Sequence, residues 1–193
     1  MKPIECVVSG GGPILVIPSD LSPLWRGTSP PVGAAVPPGW TWGTGGVVCD
    51  YDRACDDVED PFDVGATVAG TLPVGSGRAL VLDGELSTAA LPWGDGVMIV
   101  RTPPFDTEEA ARAALATVDP AAFSTSAHVL ETSGGRLFVF DSAYEGAAAA
   151  ADIGADGGVL DVPLAPGRYR VDHAALPHSA GGTFALLRLS RQP

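Results

Sequence analysis

The chain has a single lysine, Lys2, three cysteines, and no apolar run approaching the roughly 20 residues that a membrane helix needs. Each scarcity excludes something. With only Lys2 basic before Glu5, the N-terminus lacks a secretory leader's charged and apolar regions, so a cytoplasmic protein with no membrane partner is expected. Cys6, Cys49 and Cys55 are odd in number and lack CxxC spacing, so they read as buried thiols rather than a disulfide framework or zinc ribbon. A Walker loop needs Gly-Lys-Ser/Thr, and neither Gly10–Gly12 nor Gly43–Gly46 supplies it. No GxSxG elbow is present, and His128, His173 and His178 form no HExxH or HxH pattern. No catalytic, cofactor-binding or metal-binding residue is assigned on these grounds, and the histidines read as surface or core groups.

Acidic charge is in excess, giving a net charge of −12, and it is unevenly placed. Residues 1–125 carry 16 acids against 6 bases, whereas residues 126–193 carry 7 against 5. Nucleic acid and anionic membranes need a basic footprint, so neither is expected as a direct partner. A basic protein would suit this balance, although solubility alone also accounts for many acidic chains.

Glycine and proline, 25 and 18 residues, punctuate short apolar runs in the manner of turns between strands. Strands are predicted over 4–8, 13–17, 65–71, 78–82, 97–101, 127–131, 136–140, 159–164, 169–171 and 184–189. Runs such as Ile14–Ile17 and Leu137–Phe140 are apolar at every position, which suits central strands covered on both sides. One clear helix is predicted at 107–118, capped by Asp106 with Glu109 closing a capping box. Weaker helical turns are placed at 20–26 and 144–151, and 28–46 reads as a long irregular loop carrying Trp40 and Trp42.

Three pattern matches recur in order. Ser9–Ile17 resembles Thr132–Phe140, Leu72–Arg78 resembles Val162–Arg168, and Val97–Arg101 resembles Phe184–Arg188. They predict a mainly β, α+β protein of two related β-rich halves arising from an internal duplication. The N-terminal half would span 1–125 with an inserted tryptophan loop and acidic segment, and the C-terminal half 126–193. The helix near 107–118 would bridge them, and the halves would pack as one compact unit. Chance recurrence of Gly-turn and apolar-strand patterns is the competing explanation.

The strongest local charge feature runs from Asp50 to Asp63, with seven carboxylates and one arginine. Its spacing lacks the ligand order and central glycine of an EF-hand loop. It reads either as a solvated acidic face or as an interface for a basic protein. The partner-binding candidates are Asp50, Tyr51, Asp52, Asp56, Asp57, Glu59, Asp60 and Asp63, with Trp40 and Trp42 as aromatic anchors. Arg53 is expected as an ion-pair partner within the run, and Trp25 as core. Two further readings stay open. One is a small-ligand or carbohydrate-binding β module stacking on Trp40 and Trp42. The other is an enzyme drawing acid and base from Asp50, Asp52, Asp56, Asp57 and His173.

Val8-Ser9-Gly10-Gly11-Gly12-Pro13, Trp25-Arg26-Gly27, Asp50-Tyr51-Asp52-Arg53-Ala54-Cys55 and the stretch Leu72–Leu82 together carry a family resemblance. Over roughly residues 4–105 the chain resembles the immunity protein 21 family of bacterial polymorphic toxin systems. The second half joins only through the internal repeat. The resemblance implies a non-catalytic antitoxin that occludes the active site of a cognate toxin in the producer's cytoplasm, with no catalytic residue or cofactor to carry over. A basic, nuclease-like toxin would fit the acidic run physically. No oligomeric state follows from the sequence.

Overall fold

In a computed structural model, residues 2–65, 67–151, 158–177 and 183–193 are described. Among the described residues there are eleven strands, most of them short apolar runs between glycine and proline turns, and all are paired antiparallel with their neighbours. They are β1 (Ile14–Pro18), β2 (Glu59–Val64), β3 (Thr67–Val74), β4 (Gly77–Leu82), β5 (Thr88–Trp93), β6 (Gly96–Arg101), β7 (Ser124–Thr132), β8 (Arg136–Asp141), β9 (Val159–Pro163), β10 (Gly167–Pro177) and β11 (Thr183–Arg191). One sheet has the order β2-β3-β4-β1-β8-β9, and the other β5-β6-β11-β10-β7. Among the described residues three short α-helices join them: α1 (Asp50–Asp56), α2 (Glu108–Leu115) and α3 (Gly146–Ala151). The protein is mainly β, as expected.

The two sheets pack face to face over a shared core that includes Ile14, Val16, Leu80, Leu137 and Val139 from one, and Ile99, Tyr169, Val171 and Leu187 from the other. Each sheet also buries its outer face. Leu15, Ile17, Val81 and Phe140 meet Trp25, Ala54 of α1 and Ala149 of α3, while Met98, Val100 and Leu186 meet Ala111 and Leu115 of α2. Strands β1 and β6 are therefore buried at every position, the reason their sequences do not alternate and are apolar throughout except for Arg101 at the end of β6.

Several boundaries differ from the sequence prediction. Residues 4–8 form no strand; Pro3 and Val7 make only isolated bridges, to Thr107 and Thr88. The helix predicted at 107–118 is shorter, and Thr107 caps it in place of Asp106: its hydroxyl accepts from the Ala110 amide at 3.2 Å. Strand β5 escaped prediction because Thr-Ala-Ala-Leu-Pro-Trp has little β-branched character and contains a proline. Strand β2 escaped because its residues are mostly charged and exposed, as befits a sheet edge. The turn predicted at 20–26 contracts to a short 3-10 segment over Ser22–Leu24. Cys49 is buried as expected, but Cys55 is exposed and Cys6 half-buried, and all three are free.

Strands from both sides of residue 125 enter both sheets. Two of the three repeat pairings occupy adjacent antiparallel strands, β1 with β8 and β6 with β11. The third does not occupy equivalent places: Leu72–Arg78 forms the β3–β4 hairpin inside one sheet, whereas Val162–Arg168 crosses from β9 to β10 in the other.

Candidate functional site: an acidic sheet edge

The acidic run is not a loop. It folds as α1 followed directly by the edge strand β2, so its carboxylates are distributed over two rigid elements. Helix α1 starts with a reciprocal cap in which the Asp52 carboxylate accepts from the Cys49 amide at 2.9 Å. Asp50 accepts from the Arg26 amide at 2.8 Å and pairs with Arg53 at 2.7 Å. Arg53 also donates to the Pro73 carbonyl at 2.8 Å, fastening α1 to β3. Arg53 thus has the expected ion-pair role, and Asp50 and Asp52 serve within the chain as well as adding negative potential.

The remaining carboxylates are placed differently. Asp56, Asp57, Asp60 and Asp63 are exposed, and none forms an ion pair among the described residues. Asp56 is the last residue of α1 and Asp57 its C-cap, where the helix dipole is negative and opposes carboxylates. Asp52 and Asp56 also stand four apart on one helix face, a like-charge spacing that costs stability. Local energetics therefore disfavour this cluster.

Asp56 borders two small open clefts. One, of about 260 Å³, lies between the tryptophan loop and α1 and is lined by Val47, Val48, Asp52 and Asp57 among others. The second, of about 240 Å³, lies on the other side of α1 against Cys55, Val58, Pro61 and Asp83. Both fall below the roughly 300–1,000 Å³ of ordinary small-molecule sites. Neither is lined by Trp40 or Trp42. Trp42 is half-exposed and meets Tyr51 edge-on, ring centres 5.2 Å apart, whereas the Trp40 indole donates to the Thr44 carbonyl of its own loop at 2.9 Å.

Strand β2 carries a bulge that no sequence signal marked. Its register against β3 shifts between Glu59 and Phe62, and Asp60 adopts φ +47°, a left-handed conformation that costs a non-glycine residue on the order of 1 kcal/mol. Gly70 of β3 makes room for it, since a Cβ there would strike Val58 and lie 2.9 Å from the Glu59 carbonyl. Two histidines that sequence reading treated singly converge here: the Phe62 ring lies 5.2 Å from that of His128 and 4.8 Å from that of His173. His173 has its pKa lowered by burial, against the pull of Asp172. No group of three or more His, Cys, Asp or Glu residues converges as a metal site among the described residues, and His178 lies outside them. No helix among them is long and apolar enough to cross a membrane.

Fold and surface together define a mainly β, two-sheet protein with one strongly acidic edge. The chain belongs to the immunity protein 21 family, whose model matches residues 5–181 and so extends well beyond the stretch to 105 that carries the visible motifs. That family name implies an immunity protein with a toxin as its cognate partner, and suggests a non-enzymatic role. No curated protein and no solved structure matches the chain.

Proposed function

We propose that the protein binds a cognate bacterial toxin in the producer's cytoplasm and neutralises it by occluding its active site, without catalysis. One observation supports this reading beyond family membership. Asp56, Asp57, Asp60 and Asp63 stand exposed and unpaired among the described residues, the first two at a helix end that disfavours them. Charges held against local stability are explained by a partner that compensates them. Glu59, Tyr51, Trp40 and Trp42 extend the surface, while Asp50 and Asp52 reinforce its potential from within. The partner face would be basic, as on a nuclease-like toxin, and steering by this edge would speed association.

The test is co-expression with the polypeptide encoded beside this chain's gene, scoring growth rescue and recovery of a complex. Rescue together with a stable complex supports immunity by binding. Growth arrest with no complex overturns it.

A further inference from the structure

We propose that His128 is a positioning residue for the acidic edge: its ring holds the Asp60 carbonyl and thereby sets where the Asp60 and Asp63 carboxylates point. The inference rests on the toxin-binding reading. His128 lies on β7 in the opposite sheet and is buried. Its Nε2 lies 2.8 Å from the carbonyl oxygen of Asp60, and its Nδ1 lies 3.2 Å from the Thr71 hydroxyl. A carbonyl only accepts, so Nε2 carries the proton. Thr71 Oγ1 receives two guanidinium donors from Arg78, at 3.0 and 2.9 Å, which occupy its lone pairs. Its own proton then goes to Nδ1. One neutral tautomer satisfies every member of the chain from Arg78 through Thr71 and His128 to Asp60.

That chain terminates on the backbone of the left-handed residue in the β2 bulge. Arg78 also pairs with Glu59, so both residues at the start of the bulge are tied to the same relay. Phe62 packs on the His128 ring from the other side of the bulge. Losing the ring would free the Asp60 peptide to relax toward the extended conformation that β-bonding favours. The exposed Asp60 and Asp63 carboxylates, on the bulged strand, would then shift relative to the end of α1.

The test is a double-mutant cycle on affinity for the polypeptide encoded beside this gene, with thermal unfolding measured in parallel. His128→Phe should weaken binding on the order of tenfold in an otherwise native chain, but cause little further loss in an Asp60→Asn background. His128→Gln, which keeps a donor for the Asp60 carbonyl, should restore most of the affinity. Thr71→Val, which removes the hydroxyl that orients the ring, should mimic His128→Phe and serves in its place if that variant fails to fold. Additive losses of His128 and Asp60, or equal loss with Gln and Phe, would overturn the proposal. A wild-type chain that does not bind at all would instead defeat the toxin-binding reading, and the proposal with it.

Discussion

The Trp25 indole donates to the Ser142 carbonyl at 2.9 Å, across 117 positions of sequence. In return the Gly146 amide donates to the Trp25 carbonyl at 2.9 Å. This exchange fastens the short helical turn after β1 to the start of α3, and both cover the outer face of the six-stranded sheet.

Trp25 is fully buried, so Trp25→Ala opens a large cavity and leaves the Ser142 carbonyl without its donor. A loss of about 3–5 kcal/mol is expected in urea unfolding. A change below 1 kcal/mol, on the order of one ordinary surface substitution, would reject the core placement.

Asp56→Asn combined with Asp57→Asn should separate stability from function. Removing two carboxylates from the C-terminal end of α1 relieves the dipole and the repulsion from Asp52, so Tm should rise slightly. Affinity for the toxin should fall by at least about tenfold, mostly through slower association at low salt. Unchanged affinity with raised Tm would mark the cluster as a solvated face.

Asp172 governs part of the acid stability. Its burial opposes the charged form, but hydrogen bonds from Arg170, Arg188 and Thr125 outweigh that and hold the carboxyl below its ordinary range. A depressed carboxylate stabilises the fold above its unfolded pKa, about 4 for an aspartate, and that contribution is lost as pH falls through the folded value. Asp172→Asn should therefore lower Tm at pH 7 while flattening its decline in acid. A parallel downward shift at every pH would refute the linkage.

Cys55 should be the first thiol labelled in the native protein, because it is exposed while Cys49 is buried. Partial desolvation of its sulfur, aided by Asp56, Asp52 and Asp83 and opposed by Tyr51, raises its pKa. Labelling by a neutral maleimide should be slower than for a free cysteine at neutral pH and accelerate in Asp56→Asn. Faster native labelling at Cys49 would contradict the burial pattern.

Apolar periodicity alone located seven of the eleven strands among the described residues closely, at β1, β3, β4, β6, β8, β9 and β11, and marked only 169–171 of the eleven-residue β10. Their runs are buried on both faces or alternate cleanly, so local pattern and tertiary environment coincide. Strand β7 was found too, but three residues short at its start, where Ser124-Thr125-Ser126 is polar and the register against β10 shifts between Arg170 and Asp172.

The sequence by itself determined the mainly β class, the double-sided burial of β1 and β8, the Arg53 ion pair, the core tryptophan and the acidic excess. Each follows from side-chain chemistry read within a short window. Only the tertiary structure decided that the acidic run is a helix and an edge strand, that Asp50 and Asp52 turn inward while Asp56 and Asp57 face solvent, and that Arg101 is fully buried. Desolvation holds that guanidinium down to about 10, despite Asp83, as it donates to the Asp83 and Gly84 carbonyls. The same holds for His128 meeting Asp60, 68 positions away. Such contacts depend on which strands become neighbours, and antiparallel pairing across two sheets brings together residues that no local periodicity relates.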